Sequence, residues 1–200
     1  TYRAVRLLHS KNLADRIKGE DLMILRGKII RDAEQKMSVF IEIMKEFSDI
    51  KHLLVFCSEK QFRRRWTKEG TAIDGVEEIL DNPQENFDYN KRIDYRRIVH
   101  DNPKNKKDRM KILRNFANEV FHVILANRVL DEGMDVPAAK SCIILASTTN
   151  PTQFIQRRGR VLRTYDDRYN DGTKKTHADI YDVLVKPRIE EMEDLESQKL

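Results

Sequence analysis

Two kinds of apolar pattern alternate along this chain. Residues 29–48, IIRDAEQKMSVFIEIMKEFS, place Ile30, Ala33, Met37, Phe40, Ile41, Met44 and Phe47 at helical spacing, which predicts one amphipathic helix. Short unbroken apolar runs follow at 52–57 (HLLVFC), 121–126 (FHVILA) and 141–146 (SCIILA). Runs of that length without a polar face predict strands covered on both sides. RRIVH (96–100) is a further strand candidate, and HADIYDVLV (177–185) is another with more alternation.

Between the strands, SEKQFRRRWTKEG offers Ser58 as a helix N-cap and Gly70 as a stop. Residues 70–94 are polar and broken by Gly, Pro and Asn, which predicts an irregular insertion with a short helix at VEEIL. DNPKNKKDRMKILRNFAN predicts a turn and then a helix with Met110, Leu113 and Phe116 on one face. Residues 1–28 read as a lead-in segment, and 187–200 as an acidic, solvated tail. Strands alternating with helices predict an α/β fold, a doubly wound, mostly parallel sheet with helices on both faces. Ligands of such sheets sit beyond the carboxyl ends of the strands. Chemistry is therefore expected in SEK, HDNPK, NRVLDEGMDVP and STTNPTQFIQRRGRVLR.

Composition sharpens this only in part. The chain has 38 basic and 33 acidic residues, a net charge of +5. Because IEEMEDLE near the end is acidic, the rest is more basic than the total suggests, which suits a polyanionic partner. No apolar run approaches the roughly 18 residues of a membrane span. Cys57 and Cys142 lie in strand-like runs without metal spacing, which predicts buried, reduced thiols and an intracellular protein. The five histidines are scattered, and no metal-binding set is expected.

Two segments carry candidate chemistry. In NRVLDEGMDVP, Gly133 permits close backbone approach and Asp135 could accept hydrogen bonds from a ribose hydroxyl. Alone, the string reads rather as a plain loop with solvated acids. QRRGRVLR places four arginines and no acid in eight residues. On a helix Gln156, Arg160 and Arg163 lie at i, i+4 and i+7 and share one face. Like charges held so close repel unless an anion sits between them, and the planar guanidinium fork suits phosphate oxygens. A basic face meeting nucleic acid nonspecifically is the alternative.

Together, and about 20 residues apart around one buried strand, these segments resemble motifs V and VI of the second RecA-like domain of superfamily 2 helicases and nucleic-acid translocases. ILANRVLDEGMDVP is similar to motif V, QRRGRVLR to motif VI and HLLVFCSEK to motif IV, over about residues 29–186. The Val-Leu-Arg ending resembles the XPB-type and restriction-motor branches and favours DNA over RNA. The resemblance implies that Arg160 and Arg163 are arginine fingers for the γ-phosphate of ATP. It implies that Gln156, Gly133 and Asp135 bind nucleotide, and that Asn127 and Arg128 face nucleic acid. Asn127 departs from the threonine or serine common there. Lys104, Lys106, Lys107 and Arg109, a basic run at a helix start, fit phosphate contact on their own chemistry.

No GxxxxGK[ST] loop and no DExH or DEAD box occurs in the 200 residues. The resemblance implies that those elements, and most of the hold on Mg2+, belong to a first RecA-like domain, so that the isolated chain is inactive in ATP hydrolysis. The alternative is a non-catalytic nucleic-acid-binding or regulatory module of the same fold.

Overall fold

A computed structural model of the chain describes residues 2–31, 35–57, 61–62, 70–99, 103–127, 135–146, 159, 161–166 and 174–185. Its first half runs α1 (Tyr2–Leu8), α2 (Leu13–Arg31), α3 (Gln35–Lys45), β1 (Leu53–Phe56), β2 (Gln61–Phe62), β3 (Gly70–Thr71), α4 (Ala72–Asp81) and α5 (Pro83–Phe87). Its second half runs β4 (Tyr95–Ile98), α6 (Lys106–Ala117), β5 (Val123–Ala126), β6 (Ser141–Ile144), β7 (Tyr165–Asp166), β8 (Lys174–Lys175) and β9 (Asp179–Asp182).

Five strands make one sheet in the order β4-β5-β1-β6-β9, every neighbouring pair parallel. Leu54 stands level with Ile124 and Cys142. Successive side chains point to opposite faces. Leu53, Val55, Val123, Leu125 and Ile143 pack with Phe40 and Met44 of α3 and with Ile73, Val76 and Leu80 of α4. Leu54, Phe56, Ile124, Cys142 and Ile144 pack on the other face with Phe116 of α6, Val136, Ala139 and Val161. Both faces of the central strands are covered, which is why LLVF, VILA and SCII carry almost no polar position. The expected α/β, doubly wound sheet is therefore present, and among the described residues it is wholly parallel.

The strand order decides where a ligand would sit. The chain leaves β1 toward one edge, through α4 and α5 on the first face, to reach β4. It then returns through α6 on the second face to β5, and crosses β1 to reach β6. Connections that leave neighbouring strands toward opposite faces open a crevice at the carboxyl edge.

Several local expectations differ from the structure. The helix expected over 29–48 is shared between the end of α2 and α3, with 32–34 outside the described residues. Residues 1–28 carry α1 and most of α2, which pack on each other. At their contact, a Cβ on Gly19 would meet Leu8 N at 2.9 Å and Ala4 O at 3.0 Å. Gln61 and Phe62, expected in a helix, pair antiparallel with Gly70 and Thr71 instead.

Residues 70–87 are more regular than expected: the short helix expected at VEEIL lies inside the longer α4, and α5 follows it, while 88–94 are irregular as expected. Thr71 and Asp74 form a reciprocal capping box, with Thr71 N donating to Asp74 Oδ2 at 2.6 Å and Asp74 N to Thr71 Oγ1 at 3.3 Å. Ile73, Val76, Ile79 and Leu80 then give α4 a buried stripe. Pro83 begins α5, and Asp88, in the left-handed region at φ 55°, ends it. On α6, Phe116 is buried and Leu113 packs against the core, but Met110 is 49% exposed. The residues around it, from Lys104 to Asp108 and Lys111, are also exposed, so the helix seats on the sheet only from its second turn.

Candidate functional site

DVPAAK leads into β6, and Val136, Ala138 and Ala139 are all buried against the sheet. A turn hydrogen bond from Ala139 N to Val136 O (3.0 Å) fixes the segment. Asp135 is thereby held on a firm base. Val161 is fully buried in the same layer, and Arg163 follows it two residues later. The Arg163 Nη1 donates a hydrogen bond to Asp135 Oδ2, so segments 28 residues apart meet side chain to side chain. The arginine side chain is 60% exposed and the aspartate 33%. An exposed ion pair of this kind contributes about 0–1 kcal/mol, so another anion can displace the carboxylate at small cost. The pair offers a carboxylate able to accept from a hydroxyl beside a fork able to grip phosphate.

Of the other nucleotide-directed residues expected from the sequence, Gln156, Arg160 and Gly133 lie outside the described residues, as does Arg128 on the nucleic-acid side. Gly159, between the arginines, is helical and exposed, and among the described residues a Cβ built there would meet no atom within 4 Å.

Lys175 carries no signal in the sequence, yet it reaches both segments. Its Nζ donates to Pro137 O at 3.0 Å and to Val161 O. The residue is 9% exposed, and burial pushes its pKa down to about 8. Lys36, in the first turn of α3, is likewise buried and donates from Nζ to Leu145 O just past β6. Neither role is visible in composition or spacing, because each depends on which carbonyl the fold brings near.

Asn127 follows β5 directly and is 5% exposed. Its neighbour Ala126 accepts from Cys57 N at 2.8 Å, which ties the ends of β5 and β1 together. At the start of α6, Lys104, Lys106 and Lys107 are exposed. Asn105 caps this helix, accepting from Asp108 N at 2.8 Å. Three ammonium groups thus stand around a helix N-terminus, whose dipole favours anions. Arg109 is used differently: its guanidinium donates to Pro103 O at 2.7 Å and to Val99 O at 3.5 Å, and so orders the turn between β4 and α6.

Other groups read more simply. Burial pushes the Cys57 thiol well above its ordinary range, so it is not a thiolate nucleophile. Both cysteines are buried, as expected, and neither forms a disulfide. Among the described residues there is no His/Cys/Asp/Glu cluster able to hold a metal ion, and no helix is long and apolar enough to cross a membrane. Arg97 on β4 pairs with Asp74 and Glu77 of α4, which fastens the edge strand to its covering helix. Burial would raise the Asp74 carboxyl, but hydrogen bonds from Thr71 and Arg97 outweigh it and hold the pKa low.

Comparison with known proteins matches residues 35–165 to the family described as the helicase conserved C-terminal domain. Over 61 residues the chain is 43% identical to the DNA 3'-5' translocase XPB2 of Sulfurisphaera tokodaii, a stretch that is 30% of this chain and 14% of that protein. Over 55 residues it is 42% identical to Dicer-like protein 2 of Neurospora crassa, 28% of this chain and 4% of that one. The matched stretches are thus small fractions of these relatives. Among solved structures, the C-terminal domain of the DEAD-box protein Dbp5 has a TM-score of 0.50 at 14% identity, covering 84% of this chain and 81% of its own. The C-terminal part of the Fun30 ATPase domain has a TM-score of 0.53 at 15% identity, covering 97% and 63%. These two structures share the fold.

Proposed function

The chain belongs to the helicase conserved C-terminal domain family, and from that premise we propose that it is the second motor domain of an ATP-dependent nucleic-acid helicase or translocase. The observation that carries this reading is the meeting of Arg163 with Asp135. A phosphate-seeking guanidinium and a hydroxyl-accepting carboxylate, drawn from two separate segments, lie together beside the sheet.

In this reading ATP binds between this domain and an N-terminal RecA-like domain that is not within these 200 residues. Asp135 accepts from the ribose, with Gly133 allowing close approach and Gln156 sensing the phosphates. Arg163 leaves Asp135 for the γ-phosphate, and Arg160 joins it there. Two guanidiniums then stabilise charge that develops on the transferring phosphoryl group. Mg2+ is held mainly by the first domain. Arg128, with Lys104, Lys106, Lys107 and Arg109, faces the nucleic-acid backbone, while Asn127, 5% exposed, serves that surface chiefly by fixing the end of β5. Because Arg109 is paired with turn carbonyls, it serves that surface chiefly by shaping it.

The 43% identity to a protein named as a DNA translocase supports the XPB-type branch, and DNA is the partner that branch favours; the 42% identity to a Dicer-like protein keeps RNA as the alternative. The motor domain is assigned to about residues 29–186, with the helical lead-in at 1–28 and the acidic tail at 187–200 as flanks. Buried cysteines that form no disulfide accord with an intracellular location. The reading is tested by ATP hydrolysis of the full-length protein with single-stranded DNA, duplex DNA and RNA. Stimulation by at least one polymer is expected, and stimulation by none would sink it.

A further inference from the structure

Lys175 poses a question that the motor reading does not answer. Burying an ammonium costs stability, and a methionine or leucine would fill similar space without that cost. Among the described residues, no carboxylate is paired with it; burial lowers its pKa, and only Cys142 works in the opposite direction. What the ammonium does gain is a bridge. It donates to Val161 O, two residues before Arg163, and to Pro137 O, two residues after Asp135. A tetrahedral donor can join carbonyls that arrive from different segments, which no apolar side chain can do. A cation is also well placed at the end of a helical segment, where carbonyls lack partners.

The backbone puts Lys175 there by antiparallel pairing. β7 and β8 pair with Tyr165 opposite Lys175, so the chain returns to the finger segment immediately after Arg163. Two links therefore join the same two segments. The outer one is the exposed Arg163–Asp135 pair, which solvent screens and which nucleotide must break. The inner one is the buried Lys175 bridge, which involves neither of those side chains. We infer that Lys175 is a positioning residue for the arginine finger: it holds the backbone at Val161 against the backbone at Pro137, so that Arg163 keeps a fixed distance from the ribose side when it exchanges Asp135 for phosphate. Lys175 lies beyond the residues matched to the family, 35–165.

This inference rests on the motor reading above, and its test separates the two. Lys175→Met and Lys175→Arg are compared with wild type in the full-length protein. Nucleic-acid-stimulated ATP hydrolysis is measured alongside amide hydrogen exchange over residues 161–166. A misplaced catalytic group can cost on the order of 100-fold. The methionine variant should lose about 10- to 100-fold in kcat, with KM for ATP, polymer binding and thermal unfolding near wild type. Exchange at Val161 to Tyr165 should quicken. The arginine variant, whose fork still reaches carbonyls, should regain a share of kcat. A methionine variant with wild-type kcat, or one impaired only in step with lost thermal stability, overturns the inference. If wild type hydrolyses no ATP with any polymer, the motor reading fails by itself and the positioning role falls with it. Exchange then still reports whether the bridge exists, since unchanged protection would remove the bridge as well.

Discussion

Replacing Lys175 by methionine should change how stability depends on pH more than stability itself. The ammonium titrates at about 8 in the folded chain, against an ordinary value of 10.5. Each tenfold change in proton affinity is worth about 1.4 kcal/mol, so at neutral pH the desolvation amounts to roughly 3 kcal/mol. Methionine removes that cost but strips Val161 O and Pro137 O of a charged donor, a loss of about 1–3 kcal/mol each. The two effects nearly cancel at pH 7. They separate above it. Between pH 8 and 10.5 the unfolded chain binds the proton at Lys175 and the folded chain does not, so wild-type stability gains from this group as pH rises. Within that window the gain approaches about 1.4 kcal/mol per pH unit, and it is absent from the variant. Other groups titrate there too. Burial raises the Cys57 thiol and, with the Asp81 hydrogen bond, takes the Tyr95 hydroxyl to about 12, which lowers stability with rising pH. Those contributions are common to both proteins and vanish in the difference. Urea denaturation followed by circular dichroism across the range from neutral pH to the ordinary lysine pKa measures it. Parallel curves for wild type and Lys175→Met would refute a buried, titrating ammonium at this place.

Two further outcomes follow from the site. Gly159 is helical with open space around it among the described residues, so Gly159→Ala should stabilise the chain by about 0.5–1 kcal/mol, a rise of a few degrees in Tm. The same change should slow stimulated ATP turnover of the full-length protein, because the opposing surface must approach there; unchanged turnover would remove Gly159 from the cleft. Replacing Lys104, Lys106 and Lys107 together by glutamine should weaken nucleic-acid binding across sequences and flatten its salt dependence, by about 0.7–0.9 in the log–log slope for each phosphate no longer neutralised. An unaltered slope in a fluorescence anisotropy titration would show that these exposed lysines touch no phosphate.

The three central strands were legible because each run had to be apolar on both faces, whereas the edge strands YRRI and DIYD, only partly buried, carried a weaker pattern. Predicted runs overshot the paired residues, since Leu145 and Ala146 are buried without belonging to β6. Helix α4 was legible only in its second half, as the short helix at VEEIL, although TAID carries its start signal. Its capping box uses aspartate, its interior holds Gly75, and Glu77 and Glu78 dilute the apolar stripe. The meeting of Arg163 and Asp135 was foreshadowed by motif order, but not as an ion pair. The roles of Lys36 and Lys175 were illegible for a plainer reason. A lysine that bonds carbonyls 109 or 38 residues away, such as Leu145 O or Pro137 O, leaves no local pattern.

The central claim is that QRRGRVLR supplies arginine fingers to a shared ATP site, and one comparison tests it most directly. ATP hydrolysis by the full-length protein is measured with single-stranded DNA, duplex DNA and RNA, for wild type and Arg160→Ala, with polymer binding measured alongside. The predicted result is stimulation by one polymer class, DNA ahead of RNA, and a loss on the order of 10³-fold or more in the variant with binding retained. Contradiction would be an Arg160→Ala variant as active as wild type, or no stimulated turnover in wild type at all. The segment would then meet a polyanion without catalysing anything, as in a nucleic-acid-binding or regulatory module of the same fold.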